Sequence, residues 1–202
     1  MGKKFFKKSL SFWRNVVFSD ESSFELHGSG RVYVRRPPGH RCNPKYTIKT
    51  TGGVRKKLMV WGGIREDGER ILVRITGTVN SDKYIQILKD HLLDFMYLGD
   101  FFQQDNAPPH KSEKTSQFFA ESCVDVLENW PPQSPDLNII ENLWSILKRR
   151  VQRRKPSSEE ELWSVLYDKF FKIPTLIIKN LYKSVQKRLK CVLVNKGAST
   201  KY

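Results

Sequence analysis

Three things are scarce in this chain, and each scarcity removes a class of protein. Cysteine occurs three times in 202 residues, at Cys42, Cys123 and Cys191, far apart and without a Cys-x-x-Cys pair. That pattern excludes a disulfide framework and a thiolate zinc site, and it fits a reducing, intracellular setting. Long apolar runs are absent as well: no stretch approaches the roughly 20 residues that a membrane span needs. Residues 1–8 are basic, but no apolar core or small-residue cleavage site follows, so a secretory signal is not expected. Acidic residues are the third shortage. Asp plus Glu number 21 against 36 Lys plus Arg, a net charge of +15. An excess that large on one domain points to a polyanionic partner, most simply nucleic acid.

What is present reads as a folded α/β domain. Apolar content of 39% and aromatic content of 12% are too high for a disordered chain, and no internal repeat is visible. Residues 15–18 (Asn-Val-Val-Phe) predict a buried strand and 24–27 a second short one. Residues 58–64 (Leu-Met-Val-Trp-Gly-Gly-Ile) and 71–75 predict a hairpin across Glu66-Asp67-Gly68-Glu69. Ser81 is placed to cap a helix reaching to about residue 97, and a strand follows at 100–104. A helix over 112–121, a short strand over 123–127 and a helix over 138–154 complete the core pattern. Ser158 and Glu161 then have capping-box spacing for one of two further helices, near 158–171 and 174–189. The order implies a mixed sheet covered by helices.

Three acids stand out by their surroundings. Asp20 lies in Phe18-Ser19-Asp20-Glu21-Ser22-Ser23-Phe24, Asp105 in Phe102-Gln103-Gln104-Asp105-Asn106-Ala107-Pro108-Pro109-His110, and Glu141 where a helical pattern begins. The two aspartates are expected at strand ends, where α/β sheets place ligands. Two such carboxylates with a third on a helix suit a pair of magnesium ions, which take oxygen ligands and leave positions open for phosphate. Phosphoryl transfer needs positioning and charge neutralisation rather than an imidazole or a thiolate. Glu21 is expected on the opposite strand face from Asp20, and Asp136 and Asn138 are candidate caps for the helix that carries Glu141.

Four strings in this order closely resemble the catalytic domain of Tc/mariner-type DNA transposases. They are Phe-Ser-Asp-Glu-Ser-Ser-Phe (18–24), Val-Trp-Gly-Gly-Ile (60–64), Phe-Gln-Gln-Asp-Asn-Ala-Pro-Pro-His (102–110) and Trp-Pro-Pro-Gln-Ser-Pro-Asp-Leu-Asn-Ile-Ile-Glu-Asn-Leu-Trp (130–144). The resemblance implies a ribonuclease-H-like α/β fold: a mixed five-stranded sheet flanked by helices, with a C-terminal helical extension. It implies a catalytic, metal-binding triad of Asp20, Asp105 and Glu141, two Mg²⁺ ions with Mn²⁺ as substitute, and cut-and-paste DNA transposition. It also implies double-stranded DNA as partner, a homodimer when active, and a nuclear location. Rival readings are a ribonuclease-H-like nuclease and an inactive, transposon-derived DNA-binding remnant. On this division, residues 1–14 are a basic remnant, 15–155 the catalytic domain and 156–202 the extension. The family usually carries paired helix-turn-helix domains before the catalytic domain, so residues 1–14 are not expected to read DNA ends specifically. Between Asp105 and Glu141 lie 35 residues, one more than in the commonest subgroup, and Ile139 replaces the usual Pro.

Residues 35–57 read as a long loop or extended hairpin punctuated by Pro and Gly. Its Arg35, Arg36, Arg41, Lys45, Arg55, Lys56 and Lys57 are candidate DNA contacts; Arg31 and Lys49 belong to the same basic stretch. Lys148, Arg149 and Arg150 extend the Glu141 helix as a basic stripe, either tracking phosphates or forming a nuclear-targeting cluster. His110 has two readings: contact with the scissile phosphate or attacking water, and capping of the next helix. Asn106 either orients Asp105 or shapes the turn. Trp61, Trp130 and Trp144 are expected in the core.

Overall fold

The computed structural model describes residue 5 and residues 7–26, 34–40, 43–46, 57–132 and 134–195. Strand β1 (Val16–Glu25) is one continuous ten-residue strand rather than two short ones. Its polar middle stays extended because β2 (Lys57–Ile64) pairs with it antiparallel all the way from Phe18↔Ile64 to Glu25↔Lys57. The ladder, and not side-chain hydrophobicity, holds residues 19–23 in the sheet. Asp20 consequently sits within a strand, not at its end. Strand β3 (Arg70–Ile75) returns antiparallel to β2 across the expected hairpin, and β4 (Phe101–Gln103) runs parallel to β1 on its other side.

Among the described residues the sheet order is β3-β2-β1-β4, four strands and not five. Residues 123–127 contribute only a parallel bridge between Val126 and Phe102. Strand β4 is three residues long, and left-handed residues Cys123 (φ 52°) and Asn129 (φ 60°) bend the chain away on either side of the bridge. A longer ladder has nothing to grow on.

Alternation along β1 divides the core in two. Val16, Phe18 and Phe24 face one layer, with Trp144, Phe170 and Tyr182; Val17 faces the other, with Trp61, Tyr84, Phe102 and Phe119. Short helix α1 (Leu10–Arg14) precedes β1. Helix α2 (Ser81–Ile87) is capped by Asn80, whose side chain accepts from the Lys83 N–H, so Ser81 is one residue inside the helix. It passes into a π turn (Leu88–Leu92) and a 3₁₀ turn (Leu93–Phe95), ending short of residue 97. With α3 (Glu113–Glu121, capped by Ser112) it covers the second layer.

The first layer is covered by α4 (Ile140–Gln152), α5 (Glu159–Phe171) and α6 (Thr175–Val194). Ser158 accepts from the Glu161 N–H as its spacing predicts, while the Glu161 carboxylate turns back to Ser157. Helix α6 is bound to the rest at two points along its length. The Tyr182 hydroxyl lies 2.8 Å from the carbonyls of Val16 and Ile64, and buried Arg188 donates to the Asp136 carbonyl and to Asn142 Oδ1 at 2.7 and 2.6 Å.

Candidate active site

Asp20 shares its strand face with Phe18 and Phe24 and is largely buried beneath α4. The Trp144 indole N–H donates to its Oδ2 at 3.2 Å. Trp144, fully buried, can lie this close because Gly62 pairs with Asp20 in the ladder: a Cβ on Gly62 would stand 2.5 Å from the Trp144 ring. Burial pushes the Asp20 carboxyl up to about 8, and the negative charges of Glu141, Glu21 and Asp105 add to the effect. Asp20 is thus the centre of a group of four acids.

Glu141 occupies the first turn of α4, three residues before Trp144, so the face that reaches Asp20 also carries this carboxylate. Neither expected cap serves the helix. Its N-cap is Ile139, which makes no side-chain cap bond. Asn138 instead donates from Nδ2 to the Ser19 carbonyl at 3.0 Å, tying the start of α4 to the residue before Asp20. That is a positioning contact across 119 residues of sequence.

Asp105 lies two residues beyond β4, half exposed, in a turn closed on itself. Its Oδ1 accepts from the Ala107 N–H at 2.8 Å and from His110 Nδ1 at 2.6 Å. The bond from His110 holds its pKa below the ordinary value against the effect of partial burial, and the Ala107 N–H contributes in the same direction. Burial alone would lower the pKa of His110; the hydrogen bond to Asp105 and the negative charges of Glu21 and Asp105 outweigh it and raise the pKa to about 9. Asn106 donates to the Trp130 carbonyl at 2.9 Å, anchoring the turn to the chain before α4. His110 does not cap α3, whose cap is Ser112.

The remaining candidates divide. Arg41, Arg55 and Lys56, with Arg31 and Lys49, lie outside the described residues. Arg35, Arg36, Lys45 and Lys57 are exposed, and Lys57 approaches Glu25 at 3.7 Å. Lys148 and Arg149 are exposed on α4, whereas Arg150 turns toward the Lys169 and Lys172 carbonyls at the end of α5, each 3.4 Å away. Sequence reasoning missed the roles of Gly62, Trp144 and Glu21. Only Gly62 carried a local signal, since glycine inside a strand marks close approach by another group.

Among the described residues no three His, Cys, Asp or Glu side chains already converge on one coordination point. The donor set is nonetheless oxygen-rich, and its repulsion at Asp20 is the kind a hard divalent cation relieves. The family model of the DDE superfamily endonuclease matches residues 15–163. The chain belongs to this family. Within it, the Tcb1 transposase of Caenorhabditis briggsae is 37% identical over 198 residues, covering 94% of this chain and 71% of that protein. The Mos1 strand transfer complex shares the fold with a TM-score of 0.79 at 20% identity, over 99% of this chain and 59% of that one. The Mos1 mariner paired end complex with Mg gives 0.80 at 19% identity, over 99% and 60%. The chain therefore spans about three-fifths of the Mos1 chain's length, and it constitutes a DDE catalytic domain of the Tc/mariner transposase type.

Proposed function

We propose that this DDE domain cuts DNA at transposon ends and joins the freed end to target DNA, with Asp20, Asp105 and Glu141 as catalytic metal ligands. The reading rests on the concentration of negative charge at Asp20, maintained in a chain whose net charge is +15. Proteins do not bury like charges together without a cation or a proton between them. Two Mg²⁺ ions, or Mn²⁺ in their place, would be held by these three carboxylates; once bound they polarise the phosphodiester and neutralise charge on the attacking and leaving oxygens. The protein's own part is positioning. Trp144 fixes one oxygen of Asp20. Ala107 and His110 fix one oxygen of Asp105, and Asn138 holds the start of the Glu141 helix against β1.

In each step one P–O bond is exchanged for another: water displaces the 3′ oxygen at the transposon end, then the freed 3′-hydroxyl attacks a target phosphodiester and displaces the target strand's own 3′ oxygen, which leaves as a hydroxyl. Exposed Arg35, Arg36, Lys45, Lys57, Lys148 and Arg149 contribute sequence-independent phosphate contacts. Joining two ends calls for two copies of the chain, and the likeness to transposases of Caenorhabditis supports a nuclear site of action. The test is cleavage of short duplexes with Mg²⁺ or Mn²⁺ beside Asp105→Ala. Metal-dependent nicking that disappears in the variant, with DNA binding retained, is expected. Undiminished nicking in the variant overturns the triad. Cleavage of RNA–DNA hybrids without any joining of DNA strands overturns the transposase assignment and leaves a nuclease.

A further inference from the structure

On the face of β1 turned away from Asp20, the buried ring of His110 has a neighbour at each ring nitrogen and on one ring face. Nδ1 bonds Asp105 Oδ1 at 2.6 Å, and because an ionised carboxylate can only accept, Nδ1–H is the donor. Nε2 stands 3.4 Å from Glu21 Oε1. The ring face stacks on Tyr84 with centroids 4.0 Å apart and planes 29° from parallel. The Tyr84 hydroxyl donates to Gln104 Oε1 at 2.7 Å, and Gln104 Nε2 donates back to the His110 carbonyl at 3.2 Å. The circuit therefore fixes the imidazole in plane, in tilt and at its own backbone.

This arrangement has no helix to serve. Ser112 caps α3, and the Pro109 carbonyl is taken by Ser112 and Thr115 hydroxyls. What it does determine is the rotation of one carboxylate. A terminal carboxyl torsion is broad and nearly two-fold, so an untethered Asp presents either oxygen to a ligand. In Asp105, Oδ1 takes two donors, Ala107 and His110, whereas Oδ2 has no partner among the described residues.

We propose that His110 is a positioning residue, oriented by Glu21 and Tyr84, that locks Asp105 with Oδ2 presented to a divalent cation. Glu21 thereby belongs to the active centre although it faces the other side of the strand from Asp20. The inference rests on the proposed metal-binding role of Asp105. Partners that orient a metal ligand from behind are typically worth about 10- to 100-fold in metal affinity.

The test is Mn²⁺ binding to the DNA-free protein by titration calorimetry, with the Mn²⁺ dependence of duplex cleavage and thermal melting alongside. His110→Phe keeps the stack on Tyr84 and removes the donor; His110→Asn returns a donor to the Nδ1 position. We expect His110→Phe to weaken Mn²⁺ binding by about 10- to 100-fold, to recover part of its cleavage rate at saturating Mn²⁺, and to be rescued by His110→Asn. Glu21→Gln shifts binding the same way by less. Unchanged Mn²⁺ affinity in a folded His110→Phe protein overturns the proposal; should that variant not fold, unchanged affinity in Glu21→Gln does so. Wild-type affinity in Asp105→Ala would remove Asp105 from the metal site, and the function proposed above would go with it.

Discussion

Asp20 and Asp105 are the same residue type, proposed above for one metal centre, yet their surroundings are opposite. Asp20 is embedded in the apolar layer under α4, with one indole N–H as its side-chain donor and three acids as electrostatic neighbours. Asp105 stands half exposed in a loop, with a backbone N–H and a histidine on one oxygen. Burial drives the first carboxyl up to about 8, and His110 pulls the second below its ordinary value. The fold thus leaves one carboxylate with its charge uncompensated and gives the other a compensating partner. The sheet explains the difference. Asp20, inside a strand and beneath α4, faces a packed layer, whereas Asp105, past a strand end, gathers donors from its own turn.

The strongest way to break this contrast is to neutralise each aspartate in turn. Asp20→Asn and Asp105→Asn should both lower metal-dependent cleavage by roughly 10³-fold or more, but they should move stability in opposite directions. The native state holds the Asp20 proton up to about pH 8 while the unfolded chain releases it near 3.8. Between those values the native state binds more protons, so the metal-free protein loses stability as pH rises. Asp20→Asn removes that loss, and its melting temperature should exceed the wild type's increasingly from pH 5 to pH 8. The depressed Asp105 carboxyl instead contributes stability above its ordinary pKa, lost as pH falls through the folded value, so Asp105→Asn should melt lower at neutral pH. Melting curves at several pH values, with chelator present, decide the matter; parallel curves for Asp20→Asn and wild type would refute the buried-charge account.

Gly62→Ala tests the packing behind Asp20. The added methyl meets the Trp144 ring at 2.5 Å, so overpacking of about 1–3 kcal/mol is expected, with reduced cleavage because the indole must leave Asp20. Full activity in a stable Gly62→Ala protein would show that Trp144 does not hold the carboxylate. The mildest change is Trp144→Phe, which keeps a ring and deletes the donor, at a cost of about 1 kcal/mol plus some lost packing. The pH needed for half-maximal cleavage should rise in that variant, and an unshifted profile would count against the hydrogen bond.

The parts of the site that could be read from sequence are those written in local strings. Asp20, Asp105 and Glu141 each stand in a run of neighbours specific enough to mark them before any coordinates. The hairpin over 66–69 and the capping by Ser158 follow from nearest-neighbour chemistry and appear as expected. The misreadings concern partners distant in sequence. Residues 19–23 look too polar for a strand until β2 is alongside them, and 123–127 look like a strand until β4 proves too short to pair with them. Asn138 reads as a cap because its bond to Ser19 crosses 119 residues, and Glu21 reads as irrelevant because parity names its face but not its neighbour. Asn80 takes the place of Ser81 by a shift of one residue, which two adjacent capping residue types cannot resolve.

The bond from Arg188 to Asn142 has a consequence in time. Asn142 follows Glu141 directly, and its side chain is gripped by a residue 46 positions later, near the end of α6. A chain emerging from the ribosome presents Asp20, Asp105 and Glu141 well before that grip can form. The residue next to Glu141 therefore gains this contact only once α6 has docked. The capacity to cut DNA is then expected late in synthesis: a chain truncated before Arg188 should cleave duplex DNA poorly when assayed beside the full chain.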